Sequence, residues 1–231
     1  MLVIITGASK GIGHELVKQL AAEKNVTVLA VSRSEKPLLK IQLESRYGNI
    51  LPLKADIATA KGRTAVADAV RKTKLKLNVL VNNAGHLVNK PFAKIKEGEL
   101  HAVYGTNVFA PFLLTQNLIS FFEKNNAHVL NISSMGGFQG SAKFAGLSAY
   151  SSSKAALSGL TECLAEELKP NGISVNCLAI GAVQTEMLSK AFPGYKAPLS
   201  PAEMAGFIQY FALNGHRYFN GKILPVSITT P

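Results

Sequence analysis

The sequence predicts an α/β protein, a doubly wound seven-stranded parallel sheet with helices on both faces, and three observations predict it. Seven short β-rich runs alternate with helical patterns from one end of the 231-residue chain to the other. The runs are mostly unbroken apolar stretches rather than alternating ones, as expected of strands covered on both faces. Hydrophobic residues make up 47% of the chain and charged ones 17%, ample material for a core and unlike a disordered chain.

Each element has its own signal. The run 2–6 is apolar up to Thr6 and leads straight into glycines. The helix expected over 12–23 places apolar residues at 16, 17, 20 and 21, which is helical spacing. A strand over 26–32 and a weaker helix near 38–46 follow, then a strand over 50–55 and a helix over 61–74. The fourth strand is read at 78–82, and the longest helical pattern, 99–124, leads to a fifth at 128–133. A helix over 150–169, a strand over 174–178, a helix over 201–213 and a strand over 222–227 complete the series. Such alternation implies right-handed crossovers in a parallel sheet. No internal repeat, low-complexity tract or linker divides the chain, so residues 1–231 are expected to form one domain. Pro193-Gly194-Tyr195-Lys196-Ala197-Pro198 is a loop too short to join two.

Twenty-five Lys and Arg against 14 Asp and Glu give a formal charge of +11. The cations are scattered, and their densest cluster, Arg71-Lys72-Thr73-Lys74-Leu75-Lys76, falls where a helix should end and its dipole welcomes them. A solvated helix end is therefore expected rather than a nucleic-acid patch, and the excess charge suits a phosphorylated small ligand. No apolar run reaches the ~18 residues of a spanning helix, and Met1 to Ile5 lack the basic leader of a secretory signal. A soluble, cytoplasmic protein without membrane partners is expected. Cys163 and Cys177, both in apolar surroundings, read as inert core thiols in a reducing compartment. The five histidines fit no triad or metal-ligand spacing, so no metal is expected.

The first strand passes at once into Thr6-Gly7-Ala8-Ser9-Lys10-Gly11-Ile12-Gly13, after which a helix begins. Glycines there permit a tight turn and let backbone N–H groups approach a pyrophosphate, whose charge the helix N-terminus favours. A purely structural turn is the alternative, and the strand-turn-helix context favours the phosphate. After the second strand comes Val31-Ser32-Arg33-Ser34, with no acid until Glu35 to hold a ribose 2′-OH. Arg33 offers a planar fork and Ser32 a hydroxyl for a 2′-phosphate, and Lys10 a second cation, unless both cations are simply solvated. NADP(H) is the expected cofactor. Tyr150 and Lys154 stand i, i+4 at a helix start and share a face. An ammonium beside a phenol favours the phenolate and lowers its pKa, so Tyr150 is expected to shift down and act as acid and base.

In combination these motifs resemble the short-chain dehydrogenase/reductase family, whose loop reads T-G-x-x-x-G-x-G. The resemblance runs from residue 6 to about 185 and implies a Rossmann fold. It places Gly7, Ser9, Lys10, Gly11, Ile12 and Gly13 on the cofactor, as it does Asp56 and Ile57 beside the adenine. Asn82-Asn83-Ala84-Gly85 matches the N-N-A-G motif, with Asn83, Ala84 and Gly85 next to the cofactor. Tyr150-Ser151-Ser152-Ser153-Lys154 matches Y-x-x-x-K, with Lys154 also on the nicotinamide ribose. Ser134 in Asn131-Ile132-Ser133-Ser134-Met135 matches the serine that bonds the substrate oxygen, Ser133 facing the other way. Asn107 in Gly105-Thr106-Asn107-Val108 matches the asparagine that supports a proton-relay water. Gly181, Val183 and Thr185 match the segment that contacts the nicotinamide amide. His86 reads as a pocket wall or a solvated residue.

Three features depart from the family. Tyr150 follows Ser134 by sixteen residues, about three more than usual, which Gly136, Gly137, Gly140 and Gly146 are expected to absorb in a flexible loop. Ile180 stands where the family has Pro, and the last strand ends Pro225-Val226-Ser227-Ile228 without the usual Asp-Gly. Residues 186–200 form a short substrate lid whose larger members are Met187, Leu188, Phe192 and Tyr195, implying an open pocket for a carbonyl or secondary alcohol. Relatives form homodimers or homotetramers through the helices at 99–124 and 150–169. Leu157, Leu160, Leu164 and Leu168 are read either on that interface or against the sheet. The rival reading is a dinucleotide-binding regulator or sensor with little catalysis.

Overall fold

Seven parallel strands run in the order β3-β2-β1-β4-β5-β6-β7 in the computed structural model, which describes residues 1–228. The first half comprises β1 (Leu2–Thr6), α1 (Gly11–Ala21), β2 (Thr27–Ser32), α2 (Glu35–Leu43), β3 (Ile50–Lys54) and α3 (Ala60–Thr73). The chain then crosses to the other side of β1 with β4 (Leu77–Asn82), α4 (Glu97–Tyr104), α5 (Ala110–Leu118) and β5 (Ala127–Ser134). It ends with α6 (Ser148–Glu167), β6 (Ile173–Ile180), α7 (Glu186–Ala191), α8 (Pro201–Asn214) and β7 (Ile223–Val226). The reversal between β1 and β4 opens a crevice at the carboxyl ends of these strands, where open α/β sheets hold ligands.

Burial explains the unbroken apolar runs. All of Leu2–Thr6 is buried, Val3 and Ile5 towards α1 and α8, Leu2 and Ile4 towards the helices on the opposite face. Leu16, Val17 and Leu20 of α1 join Met204, Ile208 and Phe211 of α8 on the first face. Val66 and Val70 of α3, Leu114 and Leu118 of α5, and Ala165 of α6 cover the second. Each of the larger of these side chains, Leu, Val, Ile, Met or Phe, contributes about 1.5–3 kcal/mol when fully buried. Leu157 and Leu168 are buried and half-buried Leu164 packs on the second core, so these three face the sheet, while Leu160 stays half-exposed. Cys177 is buried as expected, but Cys163 is exposed: it lies on the outer side of α6, two residues before Ala165 turns inward.

The remaining differences are local. The pattern read as one helix over 99–124 is α4, a π turn over Gly105–Phe109, α5 and a 3-10 turn over Ile119–Phe121. The segment read as a lid loop opens with α7, whose first turn Thr185 caps by accepting from Leu188 N. Its far end is tied back where Val183 pairs with Leu199. Ile180 continues β6 into register with Val226 of β7, and Gly181 N donates to Val226 O at 2.9 Å, so the ladder holds this segment without a proline. The basic cluster closes α3, with Lys74 left-handed at the C-cap. No helix among the described residues is long and apolar enough to cross a membrane.

Candidate active site

A cleft of about 880 Å³ lies over the carboxyl ends of the strands. Nearly every residue singled out from the sequence lines it: Gly7, Ser9, Lys10, Gly11, Ile12, Gly13, Ser32, Arg33, Asp56, Ile57, Asn83, Ala84, Gly85, Ser134, Tyr150, Lys154, Gly181, Val183 and Thr185. Asn107 is the exception, fully buried behind the wall.

The glycine turn is built to touch something. Gly7 has φ +71°, and a Cβ there would stand 2.8 Å from Ala84 Cα. Thr6 Oγ1 accepts from the backbone N–H groups of Asn83 and Ala84, both at 3.1 Å, and Asn83 Nδ2 donates to Thr6 O at 2.9 Å. These bonds lock the ends of β1 and β4 side by side. Helix α1 starts without a side-chain cap, so its first N–H groups face the cleft free to meet an anion. That uncapped start and the bare glycine cradle fit a dinucleotide pyrophosphate.

At the β2 end, Ser32 Oγ donates to Ser34 O at 2.7 Å and Arg33 is exposed. Lys10 is engaged: its ammonium pairs with Glu186 Oε2 at 3.0 Å, while Lys190 takes Glu186 Oε1 at 2.6 Å. Hydrogen bonds from Lys190 and then Lys10 hold the Glu186 carboxyl down at about 2. One acid thus joins the glycine turn to the lid, a link across 176 positions. Asp56 Oδ1 accepts from Ala58 N at 3.0 Å, fixing the turn after β3.

The chemical centre lies where β5 ends and α6 begins. The Ser134 and Tyr150 hydroxyls face the same cleft, close enough for the serine to oppose the rise of the phenol's pKa, and Ser134 Oγ accepts from Gly136 N at 3.1 Å. Lys154 Nζ lies 5.8 Å from the Tyr150 ring centroid and donates to Ile132 O at 2.7 Å. Burial pushes the Tyr150 phenol up, with the Ser134 hydroxyl opposing it, which reverses the direction expected from Lys154. The same burial brings the Lys154 ammonium down to about 8, the nearby Cys177 opposing. Desolvation therefore outweighs the attraction of an ammonium that does not touch the phenolic oxygen. Ser133 does face away, its hydroxyl donating to Lys154 O at 2.9 Å.

Asn107 sits in the π turn and joins three segments. Its Oδ1 accepts from His86 N at 2.8 Å, and its Nδ2 donates to His86 O at 2.9 Å and Ser153 Oγ at 2.9 Å. His86 therefore serves through its backbone, and Ser153 is a member of the site that the motif did not single out. Among the described residues no group of three or more His, Cys, Asp or Glu is placed to hold a metal.

The longer segment after Ser134 is ordered by its own bonds. Ser141 Oγ donates to Met135 O and Phe138 O, and Lys143 Nζ donates to Phe138 O at 2.7 Å and Ser141 Oγ at 2.7 Å. Gly146 O accepts from Lys90 N at 3.0 Å, and Asn89 Nδ2 donates to Ala191 O at 2.7 Å. The loop after β4 thus ties both this segment and the lid.

The fold and its crevice define the class, a doubly wound α/β protein with a ligand cleft at the topological switch point. The family profile described as short chain dehydrogenase matches residues 1–196, and the chain belongs to that family of oxidoreductases. It is 30% identical to the ketoacyl reductase HetN of Nostoc sp., over 87% of this chain and 72% of that protein. It is 29% identical to an NADP-dependent 3-hydroxy acid dehydrogenase of Schizosaccharomyces pombe, over 90% and 85%. A short-chain dehydrogenase/reductase structure from Serratia marcescens superposes with a TM-score of 0.86 at 28% identity, covering 98% of this chain and 96% of that one.

Proposed function

We propose that this chain is an NADP(H)-dependent oxidoreductase that interconverts a carbonyl and a secondary alcohol. The observation that carries the reading is the Ser134–Tyr150 hydroxyl pair, backed by Lys154, in the same cleft as an uncapped glycine-rich helix start. NADP(H), when bound, supplies or takes up the hydride. In reduction Tyr150 gives its proton to the carbonyl oxygen, and a phenol raised by burial holds that proton through the neutral range. Ser134 donates a hydrogen bond to the same oxygen. Lys154 steadies the phenolate that remains and reaches the nicotinamide ribose. Asn107, whose amide is committed to His86 and Ser153, acts as a positioning residue for the wall beside Lys154.

Arg33 is the residue that meets a 2′-phosphate, with Lys10 joining it once released from Glu186. The named NADP dependence of the Schizosaccharomyces relative supports this choice. Residues 1–231 act as one catalytic unit. Two copies associate through the face that exposes Phe109 and Phe112, and four by also using the face of Phe207, Tyr210 and Tyr218.

The decisive experiment follows absorbance at 340 nm with NADPH or NADH and a panel of ketones, aldehydes, quinones and 3-oxoacyl thioesters. Turnover is expected with NADPH, and Tyr150→Phe should abolish it while leaving NADPH affinity within a few-fold. Wild-type activity in that variant overturns the mechanism, and tight NADPH binding without any turnover assigns the chain to the sensor class. Arg33→Ala should raise the KM for NADPH at least about tenfold, the worth of a charge-assisted hydrogen bond, with little change for NADH. A wild-type preference for NADH rejects the cofactor choice.

A further inference from the structure

We propose that the substrate end of the cleft is an apolar, aromatic-walled subsite selecting carbonyl compounds with an uncharged hydrophobic group beside the carbonyl. The proposal rests on the oxidoreductase reading of this site. The Tyr150 and Ser134 hydroxyls account for the substrate oxygen, leaving the rest of the molecule to the surrounding walls. Those walls come from three segments. Leu87 follows the N-N-A-G motif, Phe144 and Leu147 come from the lengthened segment before α6, and Met187 and Phe192 from the lid.

Phe144 is the telling residue. It packs edge-on against Phe192 with ring centroids 6.2 Å apart, yet remains 51% exposed at the cleft wall. The bonds of Ser141 and Lys143 to Phe138, and of Gly146 to Lys90, hold its loop in that position. A large apolar ring held exposed in a cleft gains by being covered. Met187 Cε lies within 4.0 Å of where a Gly85 Cβ would stand, and Lys154 Nζ within 3.8 Å, so the apolar wall reaches the chemical centre.

Among the described residues, no cation lines the substrate end of the cleft to meet a carboxylate. Of the cations lining the cleft, Arg33 lies at the β2 end, Lys10 is paired with Glu186, and Lys154 is buried on Ile132 O. Of the lysines nearby, Lys90 pairs with Glu99, Lys190 with Glu186 and Lys143 is held by its own loop, while Lys196, beside Tyr195 on the lid, is not part of the cleft lining. An anion placed among these side chains would lose its water without gaining a partner.

The test compares kcat/KM for 4-phenylbutan-2-one, 4-oxopentanoate and the ethyl ester of 4-oxopentanoate, with binding measured by calorimetry in the presence of NADPH. The expected order is phenyl ketone above ester above free acid, with at least a hundredfold between the first and last. Phe144→Ala should lower the ratio of phenyl ketone to ester about tenfold, mainly through KM, and Phe144→Lys should narrow the gap to the free acid. Equal or better use of the free acid overturns the proposal, as does a ratio unmoved by both substitutions. If nothing turns over, binding of the phenyl ketone but not the acid upholds the subsite and rejects only the oxidoreductase reading. Absence of binding as well rejects the subsite.

Discussion

His128 illustrates how a single buried residue far from the chemistry makes stability depend on pH. It is fully buried on β5, its Nδ1 meeting Ala212 O at 2.9 Å and its Nε2 meeting Asn176 Nδ2 at 3.1 Å. That pairing defines the neutral tautomer with the proton on Nδ1, since Ala212 O only accepts and the amide donates. Burial brings its pKa down from 6.5 to about 4. Above pH 6.5 both folded and unfolded forms are neutral, and the stability is fully present. As pH falls from 6.5 towards 4 the unfolded chain takes up the proton first, and up to about 3 kcal/mol is lost. Urea midpoints across that window should fall more steeply for the wild type than for His128→Gln, and parallel curves would disprove the assignment. At this scale the glycine turn, Ser134, Tyr150 and Lys154 were legible, because each belongs to a local motif. The exposure of Cys163 and the upward shift of Tyr150 were not, since both depend on which neighbours the folded chain brings near.

Elements show the same division. The strands were legible to within a residue or two because both faces are covered and the runs are unbroken. Helix α7 was not, being six residues that run straight into the Pro193-Gly194 turn. The π turn escaped notice because Val103, Asn107, Ala110 and Leu114 continue a spacing that reads as ordinary helix. The ion pairs of Glu186 bring the lid onto the glycine turn, a contact no local pattern encodes. Glu186→Gln should release Lys10 for the cofactor and improve NADPH affinity relative to NADH by a few-fold, the modest scale of an exposed ion pair. Fluorescence titration with the two cofactors reads this ratio, and an unchanged value would show that Lys10 does not meet the 2′-phosphate. Because the Glu186 carboxyl is held at about 2, this link stays charged through the neutral range.

At the scale of the whole molecule, several exposed aromatic residues fall in two groups, Phe109 and Phe112 at the start of α5, and Phe207 and Tyr210 of α8 with Tyr218 just after it. Patches of this kind mark contact surfaces. Sedimentation should give a mass of two or four chains of 24.6 kDa. Phe112→Glu should break one of the contacts and halve that mass without loss of secondary structure. A wild-type monomer would reject the association. Charge and composition bounded the class of molecule from the sequence, but which apolar residues lie outside is set by the phase of each helix.

The π turn has a consequence for how this helix tolerates change in length. It gives the helical path one residue more than an α-helix would use, and each residue turns the path by about 100°. Deleting one position between Gly105 and Phe109 would let the turn close back to α while the residues after it keep their phase, because the bulge already absorbs the extra residue. Leu114 and Leu118 would stay on the core and Phe112 outside, while Asn107, within the turn, would leave His86 and Ser153. A one-codon deletion here acts on the site and spares the surface, so the turn confines a change of helix length to the chemistry.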